Sequence, residues 1–181
     1  CTNNGAGGFN AGAMFEFDYV SGTFTKKVRF NAAIGVSPGT FLANIGNYMY
    51  GTMHNGGMNG GGTIWAYDYV ADTTGVLYDF SSSSPNVYYP KAGVTLAWNG
   101  KLYGTTYQGG TGYGCLFEFN PVGNVFNPLV TFNNPVTGGS SYSNPFLLNN
   151  KLYYMNPQGG TSNYGTFNAY DLSTSTNAVL Y

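Results

Sequence analysis

The feature that most constrains this chain is that it repeats itself. Phe117-Glu118-Phe119-Asn120 finds partners in Phe15-Glu16-Phe17-Asp18, Trp65-Ala66-Tyr67-Asp68 and Asn168-Ala169-Tyr170-Asp171, at successive spacings of 50, 52 and 51 residues. Later in each unit Val28-Arg29-Phe30 matches Tyr78-Asp79-Phe80 and Val130-Thr131-Phe132. A fixed period of this length means that one supersecondary unit recurs and buries its apolar face against its neighbours.

Each unit divides into four strands. In the clearest one, Val94 to Trp98 leads through Asn99-Gly100 into Lys101 to Thr105, and Asn-Gly between apolar runs predicts a two-residue type I′ hairpin. A glycine-rich loop, Gln108 to Gly114, precedes a third strand, Cys115 to Phe119, and the fourth is Phe126 to Phe132. Period-two alternation puts Phe117 and Phe119 on one face, and Pro128, which lacks a donor, places the fourth strand at a sheet edge. The same alternation predicts burial for Phe15, Phe17, Trp65 and Tyr67. No stretch sustains a 3.6-residue period, and Gly or Pro interrupts nearly every helical window. The fold class expected is all-β: β-propeller-like tandem four-stranded antiparallel blades of about 51 residues, roughly three and a half of them. They form one repeat domain over 1–181, with units near 1–36, 37–88, 89–139 and 140–181.

Composition removes several function classes. Six Lys+Arg stand against seven Asp+Glu, and charged residues make up 7% of the chain, so the basic footprint that phosphate backbones demand is missing and no nucleic acid partner is expected. Seventeen Tyr, 13 Phe and 2 Trp beside 28 Gly argue against disorder and for a glycine-punctuated β fold. No apolar run reaches the roughly 18 to 20 residues that span a bilayer as a helix. The two cysteines, Cys1 and Cys115, are too few for a disulfide framework.

The sequence offers little chemistry. His54, in Met53-His54-Asn55-Gly56-Gly57, is the single histidine, so no catalytic triad, histidine metal cluster or copper-radical centre can be assembled. It is a loop residue, with ligand contact as the alternative. Glu16 and Glu118 occupy equivalent places on their units' third strands and could suggest a glycosidase pair, but they recur because the strand recurs, and the second unit has Ala66 there. The pairs Gly7-Gly8, Gly56-Gly57, Gly109-Gly110 and Gly159-Gly160 lack phosphate-loop spacing and read as turn glycines. Asp18, Asp68, Asp171 and Asn120 could offer oxygen ligands to Ca²⁺, although a turn in which the side chain bonds its own backbone is the preferred account. Tyr107 and Phe9, beside amides such as Gln108, have the flat faces on which sugars stack; packing between blades is the competing account. The candidate ligand-contacting residues are therefore His54, Tyr107 and Gln108, with no catalytic residue, metal ligand or cofactor.

The pattern Pro-x-x-Gly, then Asn-Gly-Lys-Leu-Tyr-Gly-Thr-Thr, Gly-Gly, Tyr-Gly and Phe-x-Phe, plainest from Pro90 to Phe132, resembles the bacterial choice-of-anchor tandem repeats called GloVer repeats. It is more distantly similar to Kelch propeller blades. Departures are Tyr153-Tyr154 for Tyr103-Gly104, Asn168 for an aromatic, and Cys1-Thr2 where Tyr-Gly is expected. The resemblance implies export to the cell surface or beyond and no enzymatic chemistry. The register sets Cys1 within a second strand and Tyr181 within a fourth, which leads to the expectation that both ends lie at sheet edges completed by other copies or by the rest of a longer repeat polypeptide. The expected function is a structural or adhesive building block of a cell-surface or fibre-forming protein; the alternative is a carbohydrate-binding propeller with glycan partners.

Overall fold

The computed structural model describes residues 11–83 and 85–181. Expectations for Cys1, Gly7-Gly8 and Phe9 lie outside the described residues. Among the described residues four main antiparallel sheets follow one another along the chain, with one small two-stranded pairing beside the third, and we call the four main sheets units one to four. The first pairs β1 (Ala13–Asp18) with β2 (Thr23–Arg29). The second sets β5 (Tyr48–Asn55) between β6 (Thr63–Asp68) and the short β3 (Val36–Pro38) and β4 (Ala43–Ile45), with β7 (Thr73–Asp79) outside β6. After β8 (Val87–Tyr88), the third runs β9 (Thr95–Leu96), β10 (Leu102–Thr105), β12 (Cys115–Asn120), β13 (Val125–Thr131), while β11 (Gln108–Gly109) pairs back onto β8. Beyond the helical turn α1 (Asn134–Thr137), the fourth runs β14 (Phe146–Leu148), β15 (Lys151–Asn156), β16 (Thr166–Asp171), β17 (Thr176–Val179). In the last two units strand order in space equals order in sequence, which is the meander of a propeller blade.

β13 is an edge strand, as Pro128 predicts, and the pairing slips by one residue beside it: Leu116 faces Val130 but Phe117 faces Pro128. The same bulge recurs between Met14 and Phe15 and between Ile64 and Trp65. One extra residue per edge strand increases local twist.

The turn between the first two strands of a blade differs from expectation. Asn99 is not among the residues with positive φ; Gly100 alone has it, at 75°. Gly100 N–H donates to Ala97 C=O at 3.0 Å, making Trp98 and Asn99 the centre of a turn that Gly100 closes with a bulge. A three-residue loop thus replaces the type I′ turn, because the Asn99 side chain is committed locally: Oδ1 accepts from Lys101 N–H and Nδ2 donates to the Tyr103 hydroxyl. The two-residue turn with positive φ at both centres occurs in unit four, at Asn149 and Asn150.

Among the described residues three apolar clusters form the core, each between consecutive units. Met14, Val28 and Phe30 pack with Met53, Trp65 and Tyr67; Ile64 and Phe80 pack with Leu102, Phe117 and Phe119; Leu116 and Phe132 pack with Leu152, Tyr154 and Tyr170. One aromatic pair marks each junction: Phe30 with Trp65, Phe80 with Phe117, and Phe132 with Tyr154, at centroid distances of 5.0, 5.6 and 5.6 Å. Such pairs contribute about 0.5–1.5 kcal/mol beyond the area they bury.

This arrangement corrects the burial expected for unit one. Trp65, Tyr67, Phe117 and Phe119 are buried, but Phe15 is 43% and Phe17 52% exposed. The aromatic face of every third strand points toward the preceding unit, and among the described residues no sheet precedes β1.

Candidate functional site

The chemistry-bearing side chains gather where second strands end. His54 is the penultimate residue of β5, and Tyr107 stands at the equivalent place just beyond β10. Between them runs the lead-in segment of unit three, built by a backbone device that the repeat uses throughout. Tyr88 pairs with Gln108 of its own unit, and Tyr89, at a φ of 61°, turns its N–H onto Gly61 C=O of the preceding unit at 2.8 Å. In unit four Gly139 bridges to Gln158, and Ser140, at a φ of 56°, donates to Tyr113 C=O at 2.8 Å. Ser37 holds the same conformation at 59°, next to Val36, which pairs with Asn55. Left-handed backbone at a non-glycine residue carries strain that the surrounding hydrogen bonds must hold.

That geometry brings His54 and Tyr107 close to one another through intermediaries. The His54 ring lies 5.1 Å from Tyr89, whose carbonyl accepts from Tyr107 N–H at 2.9 Å. The Lys91 ammonium lies between two aromatic faces, 3.6 Å from the centroid of Tyr107 and 4.6 Å from that of Tyr142, and reaches the Tyr142 hydroxyl at 3.3 Å. A cation so placed is attracted by both ring quadrupoles. A hydrogen bond from Tyr107, and then one from Lys91, holds the Tyr142 phenol below its ordinary pKa. Burial lowers the His54 pKa to about 4, with Lys91 adding repulsion, so the imidazole is neutral at physiological pH. Its Nδ1 has no hydrogen-bond partner among the described residues.

Of the three residues expected from sequence, His54 and Tyr107 thus belong to one rim of loops. Gln108 stands at the pairing position that Asn55 and Gln158 fill in their units, so its backbone serves the repeat. Tyr89, Lys91 and Tyr142 were missed. The available signal was a lysine, in a chain with six basic residues, set in an aromatic-rich lead-in at the place equivalent to Tyr142.

The carboxylates are bound elsewhere. Glu118 accepts from Lys101 Nζ and from the Tyr103 hydroxyl, both at 2.7 Å, and Glu16 pairs with Lys27 at 3.0 Å. Burial, followed by the contacts with Glu118, pushes the Tyr103 phenol well above its ordinary pKa. Asp18, Asp68, Asn120 and Asp171 each accept through Oδ1 from the N–H two residues on, at 2.8, 2.9, 3.0 and 2.8 Å. They are the Asx turns of the outer hairpins. Hydrogen bonds from Ser21, Ala71 and Ser173 respectively are the main causes that hold the three Asp pKa values below the ordinary range. Cys115 is buried, its thiol pushed up to about 12 by desolvation. Gly56-Gly57, Gly109-Gly110 and Gly159-Gly160 all have positive φ, as turn glycines should.

Among solved structures, TolB from Acinetobacter baumannii is similar in fold at 15% identity and a TM-score of 0.61, covering 93% of this chain and 37% of that one. The extracellular domain of a one component system from B. thetaiotaomicron is similar at 12% identity and 0.62, covering 92% and 19%. The chain therefore spans well under half the length of either structure. These likenesses show the propeller-like fold. No curated protein matches the sequence, but the pattern of the Gloeobacter/Verrucomicrobia repeat matches residues 1–181, all four units included, and the chain belongs to that repeat family.

Proposed function

We propose that the chain is a non-catalytic extracellular module, a structural or adhesive building block of a cell-surface or fibre-forming protein, working without a cofactor. Its units are those near 1–36, 37–88, 89–139 and 140–181, and its partners are other copies or further repeats of a longer polypeptide. One observation carries this: the side chains that could do chemistry are used by the repeat itself. Lys91 is held between Tyr107 and Tyr142, Glu118 by Lys101 and Tyr103, and the three turn aspartates by their own backbone. His54 is neutral and, among the described residues, makes no hydrogen bond to a carboxylate, which speaks against a matched pair for general acid–base work. Among the described residues no helix is long and apolar enough to cross a membrane. Surface labelling of intact cells with an antibody to the chain tests the location: labelling without permeabilisation is expected, and signal only after permeabilisation overturns it.

The second reading is a carbohydrate-binding propeller using His54, Tyr107 and Gln108. It is favoured by the rim that joins His54, Tyr89, Tyr107 and Tyr142, but Lys91 already covers a face of both Tyr107 and Tyr142. A glycan array decides it, with loss of signal in Tyr107→Ala expected if sugars stack there.

A further inference from the structure

Asparagine is followed directly by glycine at Asn4-Gly5, Asn55-Gly56, Asn59-Gly60 and Asn99-Gly100, and the first of these lies outside the described residues. In such a pair the glycine nitrogen can attack the carboxamide carbon of the asparagine, since no Cβ stands in the way. Attack requires a carboxamide free to turn, a glycine N–H free to be given up, and backbone loose enough to close a five-membered ring. Sequence makes the described pairs alike, and the fold makes them different. Asn55 ends β5, paired with Val36, and Gly56 bridges to Gly61. A Cβ on Gly56 would come within 2.9 Å of Gly35 Cα and 3.0 Å of Ala32 C=O, so other backbone crowds this pair. Asn99 is exposed, yet both ends of its carboxamide are held: Oδ1 accepts from Lys101 N–H at 3.1 Å, and Nδ2 donates to the Tyr103 hydroxyl at 2.8 Å. The Gly100 N–H is occupied as well, donating to Ala97 C=O at 3.0 Å.

Asn59 has none of these restraints. It is exposed, between the equally open Met58 and Gly60, and a Cβ on Gly60 would meet nothing within 4 Å. Among the described residues the side-chain hydrogen bond of this loop runs from Met58 N–H to Asp79 Oδ1 at 2.6 Å, and the Asn59 carboxamide makes none. The Gly60 N–H reaches Gly57 C=O only at 3.4 Å, beyond the usual range of a backbone hydrogen bond. The tip is nevertheless pinned on both flanks: Gly57 N–H donates to Ala32 C=O at 2.9 Å, Gly62 N–H to Gly56 C=O at 3.0 Å, and Gly61 C=O accepts from Tyr89 N–H at 2.8 Å. Residues 59 and 60 can thus deform while the seam between units two and three stays shut.

We propose that Asn59, whose unbonded carboxamide stands beside the open Gly60, is a site of spontaneous deamidation in the folded protein, and that the fold protects Asn55 and Asn99. The Gly60 nitrogen gives up its proton and bonds to Asn59 Cγ; the bond from Cγ to the side-chain nitrogen breaks, and that nitrogen leaves with the proton as ammonia. Water then opens the succinimide ring at either carbonyl, leaving an aspartate or, where the main chain now runs through Cγ, an isoaspartate. Water is the only co-reactant, and no electrons are exchanged. Each event adds one negative charge to a chain whose formal net charge is -1 at pH 7. This chemistry needs neither the location nor the partners proposed above.

Peptide mapping by mass spectrometry tests this on the whole 181-residue chain, held folded at mildly alkaline pH and, in parallel, unfolded in guanidinium chloride at the same pH. Trypsin separates Asn99, in the peptide that ends at Lys101, from Asn55 and Asn59, in the one that ends at Lys91, and fragmentation tells the latter two apart. The signal is the mass gained when NH2 is exchanged for OH. In the folded chain Asn59 should convert at least about tenfold faster than Asn55 or Asn99, because their hydrogen bonds must open first. In the unfolded chain all three should convert at similar rates. Comparable rates at the three sites in the folded chain overturn the proposal, as does an Asn59 that stays intact there. So does a preference for Asn59 that persists on unfolding, since sequence and not the fold would then set it. Gly60→Ala, its fold confirmed by circular dichroism, hinders the attacking nitrogen and should slow conversion at Asn59 while leaving Asn99 as it was. An unchanged rate at Asn59 in that variant would show that the Gly60 nitrogen is not the nucleophile and would overturn the proposal as well.

Discussion

Tyr154 and Asn168 stand opposite each other in register on β15 and β16, and between them they reverse an arrangement that units two and three share. There the second strand supplies a glycine and the third an aromatic, Gly51 opposite Trp65 and Gly104 opposite Phe117. A Cβ on Gly51 would lie 2.9 Å from the Trp65 ring, and one on Gly104 would lie 2.4 Å from the Phe117 ring. In unit four the aromatic comes from the second strand and still meets Phe132, while Asn168, fully buried, donates to Thr137 C=O and Thr166 Oγ1. Two apparent departures from the repeat are one compensated exchange.

Tyr154→Gly alone should therefore cost about 3–5 kcal/mol, as an emptied aromatic site does. Asn168→Phe alone should overpack the site at a cost of about 1–3 kcal/mol. The double variant restores the arrangement of unit three and should recover at least about 2 kcal/mol relative to the sum. Urea denaturation of the four proteins measures this coupling, and additive losses would show that the positions are independent.

Gly114 has a φ of 88°, and a Cβ there would come within 2.0 Å of Thr106 C=O. Its own carbonyl accepts from Phe132 N–H, a bond repeated by Gly12 with Phe30 and Gly62 with Phe80. Gly123 has a similar φ of 82° but nothing nearer than 3.8 Å. Both alanine variants suffer the backbone penalty of about 1–2 kcal/mol, and only Gly114→Ala adds a backbone clash. Its urea midpoint should fall at least twice as far as that of Gly123→Ala; equal shifts would mean the close approach relaxes freely.

The His54 imidazole has a folded pKa of about 4 against an ordinary 6.5, so between these values the unfolded chain takes up a proton that the folded protein refuses. Its contribution is therefore intact above about pH 6.5 and declines as the pH falls toward 4. The ring is only partly buried, which limits the effect to about 1 kcal/mol. Thermal midpoints should drop from pH 7 to pH 5, and His54→Gln should flatten that slope. An unchanged slope would place its origin elsewhere, and the turn aspartates titrate below this window.

Asp68→Ala should cost about 0.5–2 kcal/mol, since the Val70 and Ala71 N–H groups both lose their acceptor. Asp68→Asn should be close to neutral, because Asn120 performs the same turn in unit three. A chelator should leave the melting temperature of all three proteins unchanged. If it lowers that of the unmodified chain alone, the carboxylates are cation ligands after all.

Much of this was legible because short-range signals decide it. The period, the Asx turns at Asp18, Asp68, Asn120 and Asp171, and the edge position of Pro128 all follow from residues a few places apart. What could not be read depends on contacts far apart in the chain. Nothing local to Phe15 or Phe17 says toward which neighbour a third strand turns its aromatics, so their exposure emerged only with the stacking direction. Lys91 meets Tyr142 across 51 positions, and the rim between His54 and Tyr107 is completed by a residue, Tyr89, whose backbone strain no pattern displays. The Asn99-Gly100 loop is the one local exception, where two short-range signals compete and the Asn99 amide, bonded to Lys101 and Tyr103, overrides the turn that Asn-Gly predicts.

The link from Tyr89 to Gly61, and from Ser140 to Tyr113, joins main chain to main chain. Such a seam is indifferent to the side chains on either side of it, and the residues there are as unlike as tyrosine and serine. The same bond therefore joins neighbouring units whatever side chains stand beside it. The apolar cluster at each seam has to fit as well, and the exchanged residues at positions 154 and 168 keep that fit in unit four, where Tyr154 still meets Phe132. The backbone sets where one unit meets the next, and the side chains around the joint set only how tightly they fit.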